Sequence, residues 1–183
     1  MCLFRCMVSM NAKMKPIRQK RINMNAERSL AVKEEVDKFL KTGLVKEARY
    51  RKWLANVVMM KKANKKWRMC VDFIDLYKAC PKDNFPLLRI DQLVDATTRR
   101  ELLRFMNAYS RYNQIRMHEY DQEKITSIID QGLYYYKVMS FRLKNTEATY
   151  YRLVNNMFVQ QIRHTIEVYV VIYSPRALGL KIM

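Results

Sequence analysis

Glycine is nearly missing from this sequence. Three occur in 183 residues, Gly43, Gly132 and Gly179, where average usage of roughly 7% predicts about a dozen. Positive φ is cheap only for glycine. Either the fold needs few such turns or glycines have been lost. Histidine is scarcer still, with His118 and His164 alone. The four cysteines, Cys2, Cys6, Cys70 and Cys80, form no C-x-x-C pair, and neither histidine lies near them in sequence. That spacing argues against a zinc site and for reduced thiols inside the cell, in cytoplasm or nucleus. No apolar run approaches the ~18 residues of a membrane span. The opening MCLFRCMVSM is too short for a signal peptide and lacks its layout. A soluble or peripheral protein is expected, without a membrane partner.

Acidic residues are also in deficit. Against 35 Lys and Arg stand 17 Asp and Glu, a formal net charge of +18. Such a surface attracts polyanions, nucleic acid first and an anionic membrane second. The plain alternative is a solvated basic exterior. Twelve tyrosines, seven phenylalanines and two tryptophans offer stacking partners for bases. Several of them, such as Phe39, Tyr150 and Phe158, fall at core spacing, so packing claims most of the aromatics. Half of the residues are hydrophobic, enough for the core of one ordinary domain.

The periodicity mixes helices and strands. Residues 1–24 are basic and poorly patterned and read as an extended arm. Asn25 is placed to cap a helix. Val32, Val36, Phe39 and Leu40 follow at helical spacing, and Gly43 stands where a helix C-terminus favours it. LANVVMM (54–60) and WRMCVDF (67–73) read as strands around the basic tip KKANKK. KACPKDNFPLL (78–88) reads as loop, RIDQLVDA (89–96) as a short helix and ELLRFMN (101–107) as a strand. ITSIID (125–130) and YYYKVM (134–139) form a hairpin around Gln131-Gly132. A second long helix starts at Asn145, with Tyr150, Leu153, Val154, Met157 and Phe158 as its apolar stripe. IEVYVVIY (166–173) is a strand, and 175–183 is unpatterned. Without regular βαβ alternation the expected class is α+β.

The motifs carry a family likeness. KPIRQKR (15–21), EEVDKFLKTG (34–43), WLANVVMMKK (53–62) and KWRMCVDFIDLYKACPKDNFPL (66–87) lead it. RIDQLVDAT (89–97), AYSRYNQIRMHEYDQEK (108–124), GLYYYKVMSFRLKN (132–145) and ATYYRLVNNMF (148–158) continue it in order. From about Lys15 to Ser174 the chain resembles the reverse transcriptase of gypsy-type LTR retrotransposons, plant elements in particular. The resemblance implies a right-hand polymerase fingers–palm fragment, its palm sheet packed with helices. It assigns 1–14 to an unassigned N-terminal arm, 15–90 to fingers, 91–174 to palm and 175–183 to an unrelated tail. A thumb, RNase H and integrase fall outside it. By descent the activity is RNA-directed DNA polymerisation, with an RNA or DNA template-primer held by electrostatics.

The chemistry implied is nucleotidyl transfer on two Mg²⁺ ions, ~3.5–4 Å apart, clamping the attacking and leaving oxygens. Hard cations want anionic oxygen ligands. The family supplies one aspartate at the end of the strand before the AYSGYNQI segment and an adjacent pair in YVDD. Here Asn107 stands at the first position. After Tyr169-Val170 the pair is missing. Either Val171 and Ile172 replace it, or about three residues are deleted and Val171–Ser174 matches the family's LIYS ending. Deletion is favoured, because Tyr173-Ser174 then falls in place. Glu167 shares strand parity with position 171, but four residues at ~3.3 Å each leave it ~13 Å away. Glu101, Glu119 and Asp121 belong elsewhere in the pattern. No catalytic residue is intact, no metal site is expected, and an inactive enzyme follows. No cofactor is expected for this chain, although the family uses Mg²⁺.

Other nucleotide-site positions persist. Lys61, Lys62 and Arg68 match fingers residues that approach the incoming triphosphate, a task suited to point charges and a forked guanidinium. A solvated hairpin tip is the plain alternative. Tyr112 matches the aromatic that gates the sugar 2′ position, against an ordinary core tyrosine. Relative to the family, Gly has become Arg at 111 and 142 and Glu at 147. Pro has become Leu at 88 and Ser at 140, and Thr has become Ile at 74, 125 and 129. Ala has become Thr at 126 and 146, and Asp has become Asn at 107. Each is a single C→T or G→A change, the mark of cytosine deamination in a silenced element. Lys65, where the family hairpin has glycine, and Tyr151, where it has glutamine, do not fit that pattern. A non-enzymatic basic nucleic-acid-binding module and a decayed reading frame without function are the alternative readings.

Overall fold

The computed structural model describes residues 5–11, 13–86, 90–98, 111–162, 164–166, 168–170 and 180–182. They divide into two compact units, Met1–Pro81 with Tyr112–Lys144, and Lys82–Arg111 with Asn145–Met183.

The first unit is built on a helix and a sheet. Helix α1 (Ala26–Lys41) starts where Asn25 Oδ1 accepts the Arg28 N–H at 3.0 Å, satisfying one of the free donors of the first turn. It stops at Gly43, φ +70°. There the Gly43 N–H donates to Leu40 O and the Leu44 N–H to Phe39 O, the paired bonds of a Schellman motif. Strands β2 (Val45–Ala48), β3 (Ala55–Lys61) and β4 (Trp67–Val71) follow. Helix α2 (Ile74–Ala79) ends the segment, so the loop expected at 78–88 begins only after it. Later in the chain, β6 (Thr126–Ile129) and β7 (Gly132–Tyr136) complete a five-stranded sheet in the order β2-β7-β6-β3-β4. Pairing is antiparallel except between β3 and β6, which run parallel. This mixed sheet with its helix confirms the α+β class.

The register tells which side chains share a face, since they alternate along each strand. One face carries Val45, Tyr136, Ser127, Ala55, Val57, Val71, Lys61 and Trp67. Helix α1 packs on it: the Phe39 and Tyr136 rings lie 6.1 Å apart, and Val32 and Val36 are buried. Leu40, expected in that stripe, is 39% exposed; it lies off the side of the helix that meets the sheet. The other face carries Asn56, Val58, Met60, Arg68 and Cys70.

The N-terminal segment is extended, as expected, but it is not a loose arm. Strand β1 (Arg5–Cys6) pairs in parallel with β5 (Arg116–Met117). The Val8 N–H donates to Asp121 Oδ2 at 2.9 Å, and Lys124 Nζ meets Asp121 Oδ1 at 2.6 Å. Asp121 is 4% exposed and sits in the short helix α4 (Glu119–Gln122). Further on, Arg18 bridges to Leu54. Gln19 Oε1 accepts from the Asn56 N–H at 2.7 Å, while its amide donates to Asp72 O and Asp75 Oδ2. Asn56 in turn accepts from the Ile22 N–H and donates to Lys20 O. Buried polar groups need such partners, and these bind 17–22 to the sheet.

The second unit contains α3 (Ile90–Thr97), α5 (Thr146–Met157), β8 (Val168–Val170) and β9 (Leu180–Ile182). The helices expected at 89–96 and from Asn145 are both present. Along α5 the buried residues include Tyr150, Tyr151 and Val154. Met157, expected in the stripe, is 62% exposed at the helix end. Asp83 joins α5 through Arg152 at 2.6 Å, which also lies 4.4 Å over the Phe85 ring. Leu180–Ile182, unpatterned in sequence, pairs antiparallel with β8. The strand expected at 101–107 lies outside the described residues.

Candidate nucleic-acid interface

The hairpin β3–β4 carries five basic residues and no acidic one between Ala55 and Val71. Its tip turns where the Lys65 N–H donates to Lys62 O and the Lys62 N–H to Lys66 O, both at 2.9 Å. Asn64 Oδ1 accepts from the Lys66 N–H. Lys65 follows the turn in left-handed backbone, φ +61°, the place of a glycine in a three-residue hairpin loop. Lys61, Lys62, Lys65, Lys66 and Arg68 thus crowd one end of the ribbon.

The register separates the three cations singled out in sequence. Lys61 pairs with Trp67 and shares the face beneath α1. Its ammonium lies 4.8 Å from the Trp67 ring centroid and 3.7 Å from Glu27 Oε1. Arg28 covers the same ring at 5.9 Å. Lys62 stands next to it in the turn, exposed. Arg68 pairs with Met60 on the opposite face, beside Val58 and Met60, which are 39% and 44% exposed. The hairpin therefore brings Lys61 and Lys62 together and turns Arg68 away from Lys61. The cation–π clasp on Trp67 went unseen in sequence, because it requires knowing that α1 crosses above β4. Cys70 and Cys80 are buried free thiols, and burial pushes the Cys80 thiol up.

Tyr112 lies in a 3-10 turn (Arg111–Gln114), 7% exposed, with the Phe141 ring 6.1 Å away. Next to Phe141, Arg142 takes φ +75°. Asn107, Val171 and Ile172 lie outside the described residues, as do Glu101, Glu167, Tyr173 and Ser174. Glu119 and Asp121 are described: Glu119 lies 3.6 Å from Arg5 and Asp121 is held by Lys124. Among the described residues no group of three or more His, Cys, Asp or Glu is placed to hold a metal ion.

No family model matches the chain. An RNA-directed DNA polymerase homolog of Oenothera berteroana is 32% identical over 102 residues, which cover 56% of this chain and 72% of that protein. The chain belongs to the RNA-directed DNA polymerase family. Two Drosophila melanogaster Pol polyproteins agree. That of transposon gypsy is 26% identical over 144 residues, and that of transposon 297 is 25% identical over 146. The chain spans 14% of either polyprotein's length. Among solved structures, a foamy viral protease-reverse transcriptase in complex with RNA/DNA hybrid aligns with TM-score 0.76 at 14% identity, over 98% of this chain and 22% of that one. Native prototype foamy virus protease-reverse transcriptase aligns at 0.70 over 86% of this chain. The fold is thus that of a reverse transcriptase fragment. No helix among the described residues is long and apolar enough to cross a membrane.

Proposed function

We propose that this reverse transcriptase segment binds nucleic acid by charge and does not polymerise. We divide it into fingers at 15–90 and palm at 91–174. The observation that carries the reading is the donor set at the three positions where the family places aspartates. Asn107 offers a neutral amide oxygen, and the adjacent pair is either replaced by the hydrocarbon of Val171-Ile172 or deleted, so neither alignment leaves an aspartate there. Such a set does not fit two dications, because uncompensated charge in a dry site costs several kcal/mol. The basic hairpin supports the binding half. Lys62, Lys65, Lys66 and Arg68 face solvent wholly or in part, and a structurally similar foamy viral protein is seen with an RNA/DNA hybrid.

In this reading Lys62 and Arg68 contact phosphates from two sides of the ribbon, and Lys61 mainly fixes the hairpin to α1. Tyr112, packed on Phe141, keeps the place of the aromatic that gates the sugar 2′ position in the family. The test is extension of a primed RNA template with Mg²⁺ or Mn²⁺. No extension is expected, and none is expected after Asn107→Asp alone. Steady extension by the natural sequence overturns the inactive reading. The competing reading, a decayed frame, predicts no cooperative melt. The buried core and the Gln19–Asn56 network favour a folded module. If the departures from the family arose by deamination, they fall at methylatable cytosines when the gene is compared with intact copies.

A further inference from the structure

The β2–β3 turn carries a feature unrelated to the basic tip. It has the sequence Ala48-Arg49-Tyr50-Arg51-Lys52-Trp53. Ala48 and Trp53, at 6% and 7% exposure, anchor its two ends. Arg51 anchors its middle, lying 5.1 Å over the Tyr135 ring and paired with Glu123. Between these anchors Tyr50 stands 97% exposed, in left-handed backbone with φ +54°. It packs against nothing, so no burial of its ring offsets that conformation. Arg49 and Lys52 flank it, exposed, and the bridge from Arg18 to Leu54 brings a third exposed cation to the same end of the sheet. This end lies a full length of β3 away from the Lys62–Lys66 tip, so the two basic clusters are distinct.

We infer that this turn is a second nucleic-acid subsite, on which one base of a single strand stacks on Tyr50 while neighbouring phosphates meet Arg49 and Lys52. The inference rests on the reading that the chain binds nucleic acid, and adds a site and a mode of contact to it. An exposed ring accepts any base face, and single-strand binders combine such rings with a cationic track. A duplex keeps its bases stacked on each other, so the partner that fits is single-stranded. The turn is held by Arg51 and Trp53 before any ligand arrives, which lowers the ordering cost of binding. Lysines and arginines alone would hold phosphates without regard to the bases.

That difference supplies the test. Two fluorescent 12-mers of equal charge are compared by anisotropy at moderate salt, an oligothymidylate and its counterpart with abasic sites throughout. The natural protein is expected to prefer the base-bearing strand by about fivefold or more, the low end of one stacking contact. Tyr50→Ala removes the preference and Tyr50→Trp keeps it. Arg49→Ala with Lys52→Ala weakens both strands alike. Tyr50→Gly relieves the left-handed backbone, so it is expected to raise the melting temperature while losing the preference, a pair of changes that a packing role does not produce. Equal binding of the two strands, or a preference that survives Tyr50→Ala, overturns this inference and leaves binding of primed duplex through the β3–β4 tip intact. Failure to bind any of the three nucleic acids overturns the wider reading with it.

Discussion

At Lys65 (φ +61°) and Arg142 (φ +75°) an L side chain sits in left-handed backbone, where Cβ crowds the following carbonyl at a cost of roughly 1–2 kcal/mol. The scarcity of glycine thus does not mean that the fold avoids such turns; other residues occupy them. Both positions resemble family glycines. Lys65→Gly and Arg142→Gly are each expected to stabilise the protein by about 1 kcal/mol, a rise of roughly 2–4 °C in Tm for a chain of this size. Thermal melts of the single and double variants check this. Asp83 gives a second residue-level expectation. The Arg152 guanidinium hydrogen-bonds its carboxylate and holds it below the usual range, against the opposing effect of burial, with help from the Phe85 N–H. A depressed folded pKa contributes stability above the unfolded value of about 3.9 and loses it as pH falls through the folded one. Arg152→Met is expected to return the Asp83 titration toward the ordinary range and to flatten the acid limb of the stability profile below about pH 4. A carboxyl NMR titration reads the first effect directly.

Among the elements, the docked N-terminal segment most changes the picture drawn from periodicity. Residues 17–22 carry a family motif but no periodicity, because their binding is made by backbone and by two amide side chains, neither of which leaves a hydrophobic pattern. Asn56, 5% exposed, holds the Ile22 N–H and Lys20 O together. Asn56→Ala leaves both groups without it, and a lost partner for a buried polar group costs about 1–3 kcal/mol. Faster hydrogen exchange at the Ile22 amide than at Val57 would localise the loss to this segment. The helices were better foretold. Asn25 and Gly43 mark the ends of α1 through cap chemistry that is local, and the two-residue turn before Gly132 is equally local. The hairpin tip was legible as a turn for the same reason, but the division of Lys61 and Arg68 between faces follows from strand register.

For the whole molecule, the excess of 18 positive charges predicts salt-sensitive binding whatever the local contacts are. For duplex, log K falls with log salt at a slope of about −0.9 per phosphate neutralised. Removing Lys62, Lys65, Lys66 and Arg68 together is expected to reduce that slope by about 3–4 units. Titrations of primed duplex at several ionic strengths check it. An unchanged slope would place the contacts elsewhere on the basic surface.

The sequence by itself determined the family and the α+β class, because residue identity and order suffice for both. It also determined the helix caps, whose physics spans only a few neighbouring residues. The tertiary structure decided which cations share a face, that Asp121 ties down the N-terminal segment, and that Tyr50 stands free while Tyr112 is enclosed. Those outcomes depend on strand register and on which distant segments pack together. Two tyrosines alike in composition differ there only in what the folded chain brings against them.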